Sequence, residues 1–211
     1  MMLGRHVEHD PLSWDFQADR APAVKTVLHT RRCAPFDQGQ LGSCTGNAIA
    51  GLLMTDPYFR PGRNLTEVSA VKFYSYATAH DNVPGQYPPD DTGSSGLAAA
   101  KAAQAAGYIR SYKHAFGLQH ALAALTLAPV IVGVNWYEGF DTPDASGVVQ
   151  PTGSVRGGHE FELVGVDAER QTVRACNSWG TSYGDQGYFT FSWATFDRLL
   201  HEQGDCTTVS V

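Results

Sequence analysis

Residues 37–47 read DQGQLGSCTGN, and the cysteine set among small residues is the first candidate for chemistry. A cysteine that only fills a core has no need of Gly42, Ser43 and Gly46 around it, whereas a nucleophile that must admit a substrate does. Such a thiol has three needs: a setting that favours the thiolate, a base within reach, and donors for the oxyanion it creates. The first is met locally. Ser43 can cap a helix that starts at Cys44, with Ala48, Ile49, Leu52 and Leu53 on one face and an end near residues 54–57. A thiol in the first turn of a helix meets unpaired amides and the positive end of the dipole.

The second need points to His159. Gly157 and Gly158 precede it and let a backbone come close, and it opens an alternating strand. His159, Phe161 and Leu163 fall on one side of that strand and Glu160 and Glu162 on the other. A lone strand histidine is often only a packed residue, but the other seven histidines stand in polar, loop-like stretches. A base must also be oriented, and Asn177, in CNSWGTSYGDQGY, offers an amide oxygen that fixes an imidazole's tautomer. Trp179 can shield that bond from water. Asn-Ser-Trp-Gly alone reads as a turn; the order Cys44, His159, Asn177 makes coincidence a poor explanation.

The elements that must position these residues divide the chain. Residues 5–36 are polar and aperiodic, with Pro11, Pro22 and Pro35, and read as an extended lead-in. After the helix at Cys44, helices are predicted from Thr66 to about His80, from Leu97 to about Ala106 and from Leu118 to Leu127. Turn chemistry fills residues 81–96. After Pro129 the period changes to that of strands: PVIVGVNW, GGHEFELVGVD, QTVRACNSWG and GYFTFSW. The fold class is α+β, with a cleft between the halves as the natural place for a site. The boundaries are a lead-in over 1–34, a mainly helical part over about 35–127 and a mainly β part over about 128–205.

The 211 residues carry a net charge of −6 and no dense Lys/Arg run, so neither nucleic acid nor an anionic membrane is an expected partner. No signal-like N-terminus and no apolar run near 18 residues is visible, which gives a cytoplasmic location as the expectation. Four scattered cysteines suit a reducing compartment. No cofactor is implied. Asp90-Asp91 lacks a third ligand nearby, so no metal is assigned.

Gln38-Gly39, Gly42-Ser43-Cys44, His159 and Asn177-Ser178-Trp179-Gly180-Thr181 together resemble the papain-like cysteine peptidases, in that family's order and over roughly Pro35 to Trp193. The resemblance implies a helical left half carrying Cys44 and a β-barrel-like right half carrying His159 and Asn177. It implies that Gln38 and the Cys44 amide form the oxyanion hole. It also places a glycine-containing left wall, which pairs with extended substrate, at Gly93, Ser94, Ser95 and Gly96, with Gly158 and Trp179 across the cleft. Glu160 would stand near the second specificity pocket; a solvated strand-face carboxylate is the simpler reading, selection of a basic side chain the other. The chain departs from the family at Leu41, where a disulfide cysteine is usual, at Thr45, and in a Cys44–His159 spacing of 115 residues. Only 43 residues precede Cys44, too few for the usual propeptide.

The expected function is a cysteine peptidase of compact bacterial or phage type, acting on peptide or protein substrates through a thioester. Alternatives are a peptidoglycan-cleaving or acyl-transferring enzyme with the same residues, or a non-catalytic structural or binding module, for example in a phage particle. Residues 1–32 are expected to fold onto the β half rather than block the cleft, because Leu12, Trp14, Phe16, Val24 and Val27 are too apolar for a free tail.

Overall fold

Small residues set the centre of the molecule. In helix α1 (Cys44–Leu52) every residue is buried, and a Cβ on Gly46 would strike the Ala70 carbonyl of helix α2 (Glu67–Thr78). Thr66 and Ser69 close α2 with a reciprocal capping box. Helix α3 (Gly96–Ala105) is capped by Ser95, whose hydroxyl accepts from the Ala98 amide at 3.0 Å, and its alanines let it pack close. The computed structural model describes residues 2–21 and 23–211; Met1 and Pro22, both in the expected lead-in, lie outside the described residues.

The second half adds helix α4 (Leu118–Leu127) and helix α5 (Trp193–His201) to strands β1 (Val27–Leu28), β2 (Ser111–His114), β3 (Val130–Tyr137), β4 (Val155–Asp167), β5 (Thr172–Cys176), β6 (Tyr188–Ser192) and β7 (Asp205–Ser210). All pairings are antiparallel, in the order β2-β7-β3-β4-β5-β6, and β1 lies on the part of β4 beyond the end of β3. The α+β expectation holds, with a sheet that is open rather than closed. The sequence reading ran the last strand through to Trp193 and missed α5. Its signal was present: the Ser192 hydroxyl accepts from the Thr195 amide at 3.1 Å, and Phe196 and Leu199, three apart, face the core.

Two hydrophobic clusters result. One joins α1, α2 and α3; the other joins the sheet with α4 and α5 around Trp136, Phe161, Phe189, Phe191 and Phe196. Strand β4 forms the seam between them. Its apolar side faces the β cluster, as the alternation indicated, but its other side is not solvated: Glu160 and Glu162 are 0% and 1% exposed. That corrects the solvated reading of Glu160, and the reason is tertiary, since α1 packs over this face.

Glu162 pairs with Arg31 at 2.5 Å, and Arg31 lies over the Phe36 ring. Burial pushes the Glu162 carboxyl up while Arg31 draws it down. Replacing Arg31 by methionine leaves this carboxylate buried and alone, so urea denaturation should show a loss of about 3–5 kcal/mol, mostly recovered in Arg31→Met/Glu162→Leu. A loss below about 1 kcal/mol would show that water reaches the seam.

The lead-in divides. Val24 and Val27 pack on the β cluster, and the Ala18 amide donates to the His114 carbonyl at 2.8 Å. Leu12, Trp14 and Phe16 stay 64%, 61% and 58% exposed, contrary to the burial expected of them. Trp14 finds only a stacked partner, Phe116. Residues 2–6 run into the cleft, where Leu3 packs on the β cluster and Arg5 bonds to Gly158 and Asp205 of the β half.

Candidate active site

The loop before Cys44 is fixed from outside. The Gly42 amide donates to both oxygens of Asp91, at 3.1 and 2.9 Å, and the Tyr74 hydroxyl donates to the same carboxylate at 2.5 Å. Tyr74 in turn accepts from the Gly93 amide at 2.9 Å. Asp91 thus ties the nucleophile loop to the left wall of the cleft. Sequence reasoning saw only a weak metal candidate there, because these three partners are brought together only by folding.

Across the seam, the Asn177 side-chain oxygen receives two donors: the His159 Nε2–H at 2.7 Å and the Ser178 amide at 2.8 Å. An oxygen held by two donors fixes the tautomer, so the His159 proton sits on Nε2 and Nδ1 keeps its lone pair. Nδ1 is buried and has no hydrogen-bond partner among the described residues. The imidazole lies between two indoles, 4.7 Å from Trp136 and 4.9 Å from Trp179, which exclude water from the His159–Asn177 bond. Trp136 was not among the expected site residues; a tryptophan in an apolar strand carries no sequence signal of its own.

Gln38 is held as firmly. Its side-chain oxygen accepts from the Ser178 hydroxyl at 2.6 Å, and Nε2 donates to the carbonyls of Leu41 at 2.8 Å and Met2 at 3.3 Å. Ser178, adjacent to Asn177, therefore serves both walls, a role its sequence position did not reveal.

The second of these carbonyls belongs to the segment in the cleft. The Ser94 amide donates to the Gly4 carbonyl and the His6 amide to the Ser94 carbonyl, both at 2.7 Å. From the other side, the Gly158 carbonyl accepts from Gly4 at 3.2 Å and Arg5 at 3.0 Å. The segment lies between the two walls and is hydrogen-bonded to both, with one isolated bridge from Arg5 to Ser94. Glycines make the fit possible: a Cβ on Gly4 would overlap the Gly42 carbonyl, and one on Gly158 would overlap the Arg5 carbonyl. Gly93, at φ +74°, leaves the same room beside Gly4. Ser95 and Gly96 begin α3 and do not pair with this strand; Gly96 instead leaves room for Glu160.

Under this cover Cys44 and His159 are both 0% exposed. Burial pushes the Cys44 thiol up to about 12, although the Glu160, Gly4 and Thr45 amides favour the thiolate. Burial also pushes His159 down to about 4 against the opposing pull of Asn177. Both covered groups are therefore neutral, one a thiol and the other an unprotonated imidazole.

The model of the papain family cysteine protease matches residues 13–204. The chain belongs to this family. No curated protein sequence matches it. Among solved structures, xylellain, a cysteine protease from Xylella fastidiosa, superposes with a TM-score of 0.74 at 20% identity, over 99% of this chain and 96% of that one. The bromelain protease of Ananas comosus, solved with the E64 inhibitor, gives 0.60 at 15% identity over 85% and 94%. Digestive procathepsin L 3 of Tenebrio molitor gives 0.68 at 15% identity over 100% and 76%.

Family and fold together indicate a hydrolase. Cys33, Cys44, Cys176 and Cys206 are all free thiols. Beside Trp179 an open groove of about 520 Å³, bordered by Asp37, Asp141 and Asp144, remains uncovered. No helix among the described residues is long and apolar enough to cross a membrane.

Proposed function

We propose that this papain-family chain is a cysteine peptidase whose nucleophile is Cys44, whose acid and base is His159, and whose resting form is closed. The observation that carries the reading is the His159 ring. Nε2 is committed to Asn177, Nδ1 is buried without a hydrogen-bond partner among the described residues, and Cys44 at the start of α1 takes a backbone N–H from Glu160, the residue after His159.

In the open form, the Cys44 thiolate attacks the scissile carbonyl carbon. The oxyanion takes hydrogen bonds from Gln38 Nε2 and from the Cys44 backbone N–H at the start of α1. Imidazolium His159 gives its Nδ1 proton to the leaving amine, and a thioester to Cys44 remains. Water then gives a proton to His159 as it attacks the thioester, the Cys44 thiolate is expelled as the acid forms, and the thiolate–imidazolium pair is restored. Asn177 holds the ring in one tautomer throughout. Gln38 Nε2 donates to the Met2 carbonyl at 3.3 Å, which supports its amide as a donor to a peptide oxygen in this place. Gly93, Ser94 and Gly158 would pair with the substrate backbone and Trp179 would keep water from the His159–Asn177 bond.

Replacing Gln38 by alanine should lower kcat on a quenched peptide by on the order of 10²-fold with little change in KM. An equal rise in KM would assign Gln38 to binding instead. The reading itself is tested by labelling with a peptidyl epoxide and by casein digestion. An opened chain that digests no protein and forms no Cys44 adduct would overturn it.

A further inference from the structure

The right wall holds Gln38 at two points. The Ser178 hydroxyl donates to its Oε1 at 2.6 Å, and the Ser178 carbonyl accepts from its backbone N–H at 2.9 Å. On the left, Nε2 has two acceptors, the Met2 carbonyl at 3.3 Å and the Leu41 carbonyl at 2.8 Å. Met2 belongs to the segment that must leave before a substrate can enter. Among the described residues, Nε2 then keeps one acceptor, the Leu41 carbonyl, and has one proton to spare for an oxyanion. The Leu41 carbonyl and the Gly42 N–H are the two ends of one planar peptide. That N–H is the group that donates to both oxygens of Asp91, at 3.1 and 2.9 Å.

We propose that Asp91 is a positioning residue of the reaction: through the Leu41–Gly42 peptide it aims the Gln38 amide at the oxyanion once the N-terminal segment has left. The inference rests on the peptidase reading, in which Gln38 is an oxyanion donor. This peptide needs an anchor because glycine on one side of it lowers the cost of rotation. A half-turn would present the Gly42 N–H to Gln38 Nε2, donor against donor. The glycine is nonetheless required, since a Cβ on Gly42 would come to 2.9 Å from Asp91 Oδ1. Asp91 lies exposed on the rim, away from the reacting atoms, and a charged acceptor there holds a backbone N–H more firmly than a neutral one. It is fixed from behind by the hydroxyl of the buried Tyr74. Burial and the neighbouring carboxylate push the Tyr74 phenol up, so it stays protonated and donates. The chain of contacts therefore runs from Tyr74 through Asp91, one peptide and the Gln38 amide to the place of the oxyanion.

The test uses opened chains in which each variant is checked by its melting curve. Gly4→Val opens the cleft by overlap with Gly42, and Arg5→Glu opens it independently by setting a carboxylate against Asp205. In both, Asp91→Ala should lower kcat on a quenched peptide about tenfold, and Asp91→Asn, which keeps an oxygen for the Gly42 N–H, should restore most of it. With Gln38→Ala already present, Asp91→Ala should cost less than about twofold, because the donor it aims is gone. Alkylation of Cys44 by iodoacetamide, in which the thiolate displaces iodide and no oxyanion forms, should change by less than about twofold. Losses that add to that of Gln38→Ala, or a parallel fall in alkylation, would make Asp91 a merely structural residue and overturn the proposal. A second readout needs no turnover. In ¹⁵N-labelled Gly4→Val/Cys44→Ala, Asp91→Ala should lower the heteronuclear NOE of the Gln38 side-chain amide to that of a mobile side chain. An amide equally rigid with and without Asp91 overturns the proposal. Release of the amide in an opened chain that hydrolyses no peptide would support the positioning and sink the peptidase reading. Hydrolysis with additive losses would do the reverse.

Discussion

Replacing Gly4 by valine should raise the rate of Cys44 alkylation by iodoacetamide at pH 7 by on the order of 10²-fold or more. The closed form owes its inertness to residues 2–6, which leave Cys44 and His159 without exposure. Any side chain on residue 4 overlaps the Gly42 carbonyl, which is backbone anchored by Asp91 and has nowhere to go. The segment must leave. Water then enters, and the thiol falls from about 12 toward or below its ordinary 9.0 as the desolvation cost is lifted.

The gain in thiolate is about 10³-fold at neutral pH, and part of it is offset because a less basic thiolate is a weaker nucleophile. Access to the sulfur adds to the difference. Histidine moves the other way: hydrated, His159 rises from about 4 toward 6.5, so an imidazolium that can stabilise the thiolate first exists near neutrality. The alkylation profile of the variant should therefore begin at lower pH than that of the parent chain. Mass spectrometry after timed alkylation reads the site directly. Equal rates in the two chains would mean that the segment leaves the cleft freely and does not control it.

The second large effect is on turnover. In the Gly4→Val background, Cys44→Ala should lower peptide hydrolysis by more than about 10⁴-fold, because no other thiol can form the thioester. Cys176 and Cys206 are buried, and Cys33 lies outside the paired walls. His159→Ala should cost nearly as much, and the double variant should be no worse than either single one, since the two residues act as a unit. Additive losses in a quenched-peptide assay would show that the two work in separate steps. Hydrolysis surviving in Cys44→Ala would remove the nucleophile from the reading altogether.

Much of this protein could be read from its residues. Gly42-Ser43-Cys44 followed by an apolar face specified both a helix start and a thiol at it, because periodicity is local, although the Ser43 hydroxyl makes no cap and accepts from Asn47 Nδ2 instead. Helix α4 fell at the residues expected, and the alternation of β4 sorted His159 from Glu160 correctly. What alternation could not say is what covers each face. Glu160 looked solvated because charge in a strand usually meets water; here α1 covers it and Glu162, and Arg31 and Arg5, far away in sequence, supply the opposing charge. The N-terminal segment shows the same limit more sharply. Its apolar residues predicted packing on the β half, yet Trp14 and Phe16 remain exposed while Arg5 lies buried and Gly4 half-buried in the cleft. A glycine and an arginine have no strong local preference. Their place was decided by room beside Gly42, Gly93 and Gly158 and by a buried pair of carboxylates, which exist only once both halves have folded and met.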